Sequence, residues 1–455
     1  MDQRKMHGVW ANRWTFILAA TGSAVGLGNI WKFPYIAGEN GGGAFVLVYL
    51  LCIAVVGIPI MMAEVLIGRR GRMSPINSMR YVTSEAGLHG GWTGIGWMGV
   101  VAGLMIMAFY SVVAGWALNY VVASAGGGFS GISGDEAGSL FGGLLQDTGR
   151  LTLWHSLFSV MTLAVVAAGV TKGLGMVARV LMPFLFVVLA ILLVYGFTNG
   201  DFASAFRFLF DFKFGKLSWD GVLVALGHAF FTLSLGMGSI MAYGAYMPDH
   251  ANVGRTIVTV GVLDTVVALV AGLAIFPIVF ASPGIEPSAG PGLMFVSLPV
   301  AFGNMAGGQI FGTLFFVLVA VAAWSSAVSL IEPGVAWLSE TKRFNRVTAT
   351  IALTLVAWLG GLGCIWSNNW LEDKPASGIY VFESLDFLTS QIMLPLGGLF
   401  IALFVGWLMR RAIVASEMDA EGHPLFEIWL FVVRYISPAL VALVMIFSLA
   451  DKFKG

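Results

Sequence analysis

Long apolar runs separated by short polar stretches make up almost the whole chain. A helix needs roughly 20 apolar residues to cross a bilayer, and about eleven runs reach that length. They begin near residues 13, 42, 92, 151, 176, 220, 253, 308, 347, 387 and 426. This pattern predicts an all-α polytopic membrane protein, in which residues 1–455 form one transmembrane domain of about eleven helices.

One apolar segment is too short to cross. Residues 291–303 (PGLMFVSLPVAFG) are interrupted by proline and glycine. A segment of this length is more typical of a re-entrant or interfacial element than of a span. We therefore predict a re-entrant or capping hairpin between spans 7 and 8.

The first span is interrupted by residues that disfavour a helix. Gly22, Gly26 and Gly28 are followed closely by Asn29 and Pro34. An interior glycine costs about 1 kcal/mol of helix stability relative to alanine. Within a membrane, a broken backbone is tolerated only where it is buried in protein or lines a cavity. The break therefore indicates a binding site.

A second interruption lies in span 6, between Gly227 and Gly238, where Thr232 and Ser234 join further glycines. Breaks at corresponding positions of two halves indicate an inverted-repeat transporter with its site at the midplane. The repeats are predicted at 13–198 and 220–412, with an extra span at 424–450. A glycine-lined packing face is the alternative, but it does not explain the polar side chains beside the glycines.

Charge sets the expected orientation. The chain is 58% hydrophobic, 11% charged and neutral overall, whereas soluble proteins carry about 25% charged residues. Nucleic acid is therefore an unlikely partner, and the lipid bilayer is an expected one. Basic residues favour a cytoplasmic N-terminus, with an external C-terminus. The cytoplasmic set is Arg4, Lys5, Arg13, Arg69, Arg70, Arg72, Arg80, Lys172, Arg179, Arg255, Lys342, Arg343, Arg346, Arg410 and Arg411, whereas Arg434 lies within the last span.

Metal and thiol chemistry receive little support. Cys52 and Cys364 lie in apolar runs without paired spacing, which is typical of packing residues. The six histidines form no H-E-x-x-H motif or His/Cys cluster. A membrane enzyme therefore has little support.

Four motifs together resemble the neurotransmitter:sodium symporter family. They are GSAVGLGNIWKFP in span 1, ENGGGAF at 39–45, GIPIMMAEVLIGR at 57–69 and AFFTLSLGMG at 229–238. The chain is most similar to bacterial amino-acid transporters of that family, such as the leucine transporter, from about residue 8 to 412. The resemblance implies sodium-coupled symport by alternating access, with helices 1 and 6 unwound at the midplane.

The same resemblance implies two sodium ions as co-substrates and no organic cofactor. An unwound helix offers free carbonyl oxygens for such ions. Sodium site 1 would comprise Ala24, Asn29, Thr232 and Asp264, together with the substrate carboxylate. Sodium site 2 would comprise Gly22, Val25, Ala322, Ser325 and Ser326. The alternative for the two serines is hydrogen bonding within their own helix.

Asp264 is the only charged residue in its apolar run. An aspartate at the bilayer centre costs about 2.5–3.5 kcal/mol, so a partner cation is expected. By resemblance it replaces a sodium-binding asparagine, and Ala268 stands one turn later where the leucine transporter has glutamate. A fixed carboxylate would do the work of the chloride ion that animal family members use. We therefore predict chloride-independent transport.

The resemblance also implies a pocket for a hydrophobic L-amino acid. Gly26 replaces the aspartate of monoamine transporters, which favours a substrate that brings its own carboxylate. The free amides near Gly28 and the Tyr110 hydroxyl would bind that carboxylate, although Tyr110 is equally typical of a packing aromatic. Met237 stands where phenylalanine is usual and suggests a broader substrate range. The predicted lining is Ala24, Gly26, Gly28, Ile106, Tyr110, Phe231, Thr232, Ser234, Met237, Ser326 and Leu330.

Gates are expected on both sides of the pocket. Lys32 and Asp386 match an outer pair above Phe231, with lysine in place of arginine. Trp10, Tyr246 and Glu340 match inner closing residues. The inner basic partner stays open among His7, Arg4 and Lys5. Ordinary charge flanking a span is the alternative for Lys32 and Glu340.

Three further polar residues have open roles. Glu64 resembles the family acid that satisfies backbone amides of the broken helices. Glu332 is either a proton-linked site or a structural hydrogen bonder. His228 is expected near Tyr49 and Asp264, either assisting a return proton or as a satisfied buried histidine. The competing function is a transporter-like sensor that binds an amino acid without moving it.

Overall fold

The computed structural model describes residues 8–10, 12–213, 215, 217–282, 292–341, 344–369, 381–419 and 422–452. In that part of the chain, nine continuous helices are long and apolar enough to cross a membrane. They are spans 2 (Gly43–Gly71), 3 (Gly90–Ala125), 4 (Thr148–Ala167), 5 (Val170–Asn199), 7 (Val253–Ala281), 8 (Gly308–Glu340), 9 (Arg346–Ser367), 10 (Val381–Leu408) and 11 (Pro424–Phe447).

The two remaining spans are broken. We call the side of the bundle on which span 1 begins the inner side, following the predicted orientation, and the opposite side the outer side. Span 1 consists of an inner helix, Arg13–Ala24, and an outer part formed by Gly28–Lys32 and Phe33–Glu39. Span 6 consists of Trp219–Thr232 and Ser239–Ala245. Together with the nine continuous helices they make eleven, which confirms the predicted all-α fold class.

Short helices connect the spans. They are Pro75–Glu85, Gly134–Gln146, Phe202–Phe210 and Arg411–Met418. The predicted hairpin at 291–303 differs, because its described part is one short apolar helix, Leu293–Gly303. Phe295 of that helix packs against Trp31 and Trp116, and its carbonyl accepts a hydrogen bond from the Tyr120 hydroxyl at 2.8 Å. The helix therefore caps the outer ends of spans 1 and 3.

Several helices widen for one turn before a buried proline. Proline has no N–H and its ring clashes with the carbonyl four residues earlier, so the preceding residue bonds five residues back instead. These bonds run from Phe33 to Gly28, Ile58 to Ile53, Leu298 to Leu293, Leu394 to Thr389 and Ser437 to Val432. The prolines that follow are Pro34, Pro59, Pro299, Pro395 and Pro438.

Spans 1 and 6 occupy the centre of the bundle. Their residues around the two breaks are almost all buried. The inner half of span 6 packs on span 2 at backbone distance, since a Cβ on Gly68 would lie 1.8 Å from the Met241 carbonyl oxygen. Side chains larger than hydrogen are excluded there. This contact holds the inner half of span 6 in place below the site.

Candidate functional site

The break in span 1 is closed by a side chain. The helix ends at Val25, whose backbone is extended. The Asn29 amide oxygen then accepts a hydrogen bond from the Gly26 N–H at 3.0 Å, and the Gly26 carbonyl accepts from the Asn29 N–H at 3.2 Å. This reciprocal pair explains why a polar residue follows the glycines. It leaves the carbonyls before Gly26 available for other partners.

The break in span 6 depends on left-handed backbone. Ser234 has φ +55°, and Gly236 and Gly238 have φ +74° and +75°. Left-handed backbone is easy for glycine and costly for other residues. The fully buried Glu64 carboxylate of span 2 accepts the Gly236 N–H at 3.1 Å. The structure thus places Glu64 where a free backbone amide needs an acceptor.

Asp264 of span 7 joins the two breaks. Its carboxylate accepts the Asn29 side-chain amide at 2.8 Å and the Thr232 hydroxyl at 3.1 Å. The residue is completely buried. Of the Lys and Arg side chains that the structure describes, none forms an ion pair with it. Three of the four residues predicted for sodium site 1 therefore lie together around an uncompensated carboxylate.

The fourth predicted residue, Ala24, lines the central pocket together with Gly26 and Gly28. The Thr232 hydroxyl and the Asp264 carboxylate provide oxygen atoms of the kind that a hard cation prefers, while the Asn29 amide oxygen faces the Gly26 N–H. A buried carboxylate without a paired cation carries a large electrostatic cost. The residues present fit a sodium ion carried as a co-substrate.

Residues predicted for sodium site 2 gather between spans 1 and 8. The Ser326 hydroxyl contacts the carbonyls of Gly22 and Val25 at 3.4 and 3.2 Å. The Ser325 hydroxyl instead donates to Ala322 of its own helix at 2.9 Å. Ser326 thus contacts span 1, as predicted for sodium site 2. Ser325 bonds within its own helix, span 8, as in the alternative interpretation.

A small central cavity of about 20 Å³ lies between these groups. Ten of the eleven predicted substrate residues line it, while Thr232 turns towards Asp264 instead. Sequence reasoning missed Ser23, although it stands between two predicted residues of the broken segment. The lining residues are Ser23, Ala24, Gly26, Gly28, Ile106, Tyr110, Phe231, Ser234, Met237, Ser326 and Leu330.

Gly26 has no room for a side chain. A Cβ there would lie 2.4 Å from the Ser326 hydroxyl oxygen and 2.7 Å from that of Tyr110. The Tyr110 hydroxyl accepts a hydrogen bond from the Leu27 N–H at 3.2 Å. The Tyr110 hydroxyl therefore borders the cavity beside Gly26, where the substrate carboxylate is predicted to bind.

The outer side of the cavity is closed by one ring and one ion pair. Phe231 separates the cavity from a vestibule of about 400 Å³, which it also lines. The Lys32 ammonium lies 4.7 Å from the centre of the Phe231 ring and 3.6 Å from the Asp386 carboxylate. The structure therefore brings the three predicted outer gate residues together.

The inner side is closed by a thicker layer. Trp10 packs edge-on against Tyr243 and Tyr246, with ring centres 5.2 and 5.6 Å apart. Its indole N–H donates to the Val170 carbonyl of span 5 at 3.4 Å. The Glu340 carboxylate accepts hydrogen bonds from Ser74 and Asn77, at the start of the helix that follows span 2. His7, Arg4 and Lys5 lie outside the described residues.

A buried ion pair at the inner side was not anticipated. The Arg346 guanidinium, at the start of span 9, bonds the fully buried Glu332 carboxylate at 2.5 and 3.1 Å. The Tyr246 hydroxyl donates to the same carboxylate at 2.7 Å. We call these three residues the inner latch. A glutamate in an apolar span predicted a partner, but nothing local in the sequence identified Arg346 among the many cytoplasmic basic residues.

His228 lies in an aromatic sandwich. Its ring stacks on Phe33 and Tyr49, with centres 6.2 and 5.3 Å apart. Neither ring nitrogen has a hydrogen-bond partner among the described residues. The expected proximity to Tyr49 is present, whereas a direct bond to Asp264 is not.

The fold and these paired breaks define a membrane transporter with a midplane site. The sequence model of the sodium:neurotransmitter symporter family matches residues 7–129 and 140–454. The chain belongs to this family: it is a sodium-dependent, multi-pass membrane transporter of a small-molecule substrate, not an enzyme. The predicted family is confirmed.

Individual similar proteins are consistent with this family assignment. An uncharacterised sodium-dependent transporter of Bacillus subtilis, YhdH, is 36% identical over 96% of both chains. The human sodium- and chloride-dependent GABA transporter 2 is 25% identical over 97% of this chain and 80% of its own length. The crystal structure of MhsT in complex with L-phenylalanine has a TM-score of 0.88 and 40% identity, covering 96% of this chain and 99% of that one.

Proposed function

We propose that the protein imports hydrophobic L-amino acids together with two sodium ions, without a requirement for chloride. The observation that carries this proposal is the Asp264 carboxylate, buried against Asn29 and Thr232 at both helix breaks. A sodium ion at this cluster would neutralise the carboxylate and contact the carboxylate of the substrate. The ion and the substrate would then bind cooperatively, because each reduces the cost of burying the other.

The substrate class is inferred from the central cavity. Ile106, Phe231, Met237 and Leu330 provide an apolar compartment next to Tyr110 and the span 1 amides. The solved relative MhsT was crystallised with L-phenylalanine, which supports a hydrophobic amino acid for this chain as well. Met237 is flexible, and we expect it to admit side chains of several shapes.

The two barriers suggest how access alternates. The outer barrier consists mainly of Phe231 and the partly exposed Lys32–Asp386 pair. The inner barrier contains the Trp10 aromatic cluster and the inner latch. Rotation of the Phe231 side chain would connect the cavity to the vestibule. Opening of the inner side would have to separate the buried Glu332–Arg346 ion pair. We infer that loss of substrate and sodium from the outside is faster than inward release.

Ion coupling sets the concentrating power. Two sodium ions entering with a zwitterion move two charges, and each charge contributes about 2.3 kcal/mol per 100 mV. The electrical term alone then supports accumulation of more than about a thousandfold. We further propose a bacterial inner membrane location with a cytoplasmic N-terminus, and repeats at 13–198 and 220–412 with an extra span at 424–450.

Uptake into proteoliposomes tests the proposal. Labelled hydrophobic amino acids should accumulate only under an inward sodium gradient, equally in chloride and in gluconate, with two sodium ions per substrate. Sodium-dependent binding without accumulation would instead favour the sensor. A chloride requirement in the unmodified protein would contradict the role of Asp264.

A further inference from the structure

Arg434 of span 11 is a charged side chain placed inside the membrane. Glu427, which pairs with the exposed Arg411, marks the inner end of the same helix. Seven residues separate Arg434 from Glu427, so at 1.5 Å per residue Arg434 lies about 10 Å deeper along the axis. Charged residues at such depth are costly, and they normally have an identifiable partner.

The protein satisfies this arginine only in part. Its Nε–H donates to the Gly406 carbonyl near the inner end of span 10, and its guanidinium lies 6.0 Å from the Trp407 ring. Among the described residues, no carboxylate forms an ion pair with Arg434 and no acceptor is bonded to its two Nη groups. A guanidinium carries five N–H donors. Its charge and most of its donors are therefore left for another molecule.

The surroundings of Arg434 face lipid. Trp407, Tyr435 and Phe431 are about half exposed, at 53%, 49% and 55%. Trp407 packs edge-on against Tyr435, and its indole N–H donates to the Arg434 carbonyl at 3.0 Å. Half-exposed tryptophan and tyrosine are typical of the level where acyl chains meet headgroups. The arginine thus lies beside packed aromatic side chains on the surface that faces the bilayer.

We propose that the cleft between the inner end of span 10 and span 11 binds the phosphate of an anionic phospholipid. The planar Arg434 guanidinium can donate to two phosphate oxygens at once. A second basic residue, the exposed Arg410, lies just after the end of span 10. Basic pockets between helices on the cytoplasmic side are suited to such headgroups. A second copy of the chain is a poorer occupant, because a two-fold contact here would oppose two uncompensated arginines.

Binding at this cleft has a route to the transport core. Trp429 and Ser437 of span 11 donate hydrogen bonds to the carbonyls of Pro59 and Val55 in span 2, at 3.2 and 3.1 Å. Span 2 also carries Glu64, which supports the break in span 6. A lipid that holds span 11 against span 10 therefore also stabilises span 2, which supports the site through Glu64.

Native mass spectrometry of the delipidated protein, titrated with phosphatidylglycerol or phosphatidylcholine, tests the proposal. We expect phosphatidylglycerol to be retained more strongly, and Arg434→Gln to reduce its retention by about tenfold, or about 1.4 kcal/mol. Arg434→Lys should be intermediate, because an ammonium lacks the planar fork. The matched control, Arg255→Gln, removes another exposed basic residue from the inner side of span 7 and should leave retention unchanged.

Other outcomes would overturn the proposal. Equal retention of the two lipids, or equal effects of Arg434→Gln and Arg255→Gln, would show that no specific phosphate site exists. Displacement of phosphatidylglycerol by millimolar inorganic phosphate would show a site for free anions instead. A dimer that is lost with Arg434→Gln would assign the face to a second copy. If Arg434→Gln does not fold, Arg434→Lys decides alone: retention equal to that of the unmodified protein contradicts the proposal.

Discussion

The side-chain amide of Asn29 and the carboxylate of Asp264 lie 2.8 Å apart, although the residues are 235 positions apart in the chain. This bond joins the break in span 1 to span 7. The Thr232 hydroxyl extends the contact to the break in span 6. A single carboxylate therefore bonds residues of both broken helices. A change in its charge should alter the binding of the ion and of the substrate together.

Asp264→Asn should abolish sodium-driven uptake in chloride-free buffer. The substitution keeps the size of the side chain but removes the charge that the proposed cation neutralises. Loss of one partner of a buried charge pair costs about 3–5 kcal/mol, which corresponds to more than a hundredfold. Initial uptake rates in gluconate and in chloride measure the effect.

Chloride should restore part of the uptake by Asp264→Asn if the carboxylate replaces that ion. The control is Asp135→Asn, which removes an exposed acid outside the spans and should transport normally. Unimpaired uptake by Asp264→Asn in gluconate would refute the proposed role.

Gly26→Ala should weaken substrate binding more than protein stability. The added methyl group would meet the hydroxyls of Ser326 and Tyr110, at 2.4 and 2.7 Å. Overpacking of this kind costs about 1–3 kcal/mol, and here it falls on the proposed carboxylate site. Equilibrium binding of labelled amino acid in saturating sodium, compared with thermal stability, separates the two effects.

Gly94→Ala is the matched control for Gly26→Ala. A Cβ at Gly94, where span 3 begins its regular helix, has no atom within 4 Å. This variant should bind as the unmodified protein does. Equal affinities for the two alanine variants would remove the evidence that Gly26 borders the substrate.

Met237→Phe should narrow the range of substrates. The residue lines the central cavity together with Ile106 and Leu330. A rigid ring in place of a flexible thioether leaves less space, so we expect aromatic substrates to lose affinity by about 1–3 kcal/mol relative to alanine or valine. Competition of unlabelled amino acids against one labelled substrate gives the ranking, and an unchanged ranking would contradict this assignment.

Arg346→Gln should destabilise the inwardly closed state. It leaves the Glu332 carboxylate buried without its ion-pair partner. Single removal of a buried partner costs about 3–5 kcal/mol, whereas removal of both charges is milder. We therefore expect Arg346→Gln to lower the thermal midpoint strongly, and Arg346→Gln combined with Glu332→Gln to recover much of it.

Arg80→Gln is the control for this double-mutant cycle, because Arg80 is exposed and bonds only the nearby Asn77 among the contacts described for it. Its midpoint should stay within the error of the unmodified protein. Additive effects of the two latch substitutions would show that Glu332 and Arg346 do not interact in the membrane.

The two helix breaks were predictable because their cause is local. Gly26 in span 1 and the pair Gly236 and Gly238 in span 6 lie at the breaks, where glycine disfavours a helix, whereas Gly22 lies within the helix Arg13–Ala24. The widened turns before Pro34 and Pro59 also have a local cause, since each follows from a missing N–H. Sequence reasoning nevertheless predicted no wide turns, and it described 291–303 as a hairpin although the described part is one helix.

The sequence left open which residues bond to one another. Glu332 and Asp264 were recognisable, because a carboxylate in an apolar run demands a partner. That Arg346 pairs with the first, and that Asn29 and Thr232 bond the second, depends on helix packing over long separations in the chain. The same holds for the hydrogen bonds that Glu340 accepts from Ser74 and Asn77.

By itself, the sequence determined the membrane-spanning class, the family, the two unwound helices and the residue types around them. These properties follow from hydrophobic length, glycine and proline chemistry, and motifs that are contiguous in the chain. The tertiary structure alone decided which donors bond Asp264, which arginine neutralises Glu332, and which arginine is left facing the bilayer. Those choices are made by packing and burial, where the cost of an unpaired charge selects among partners that sequence separation does not distinguish.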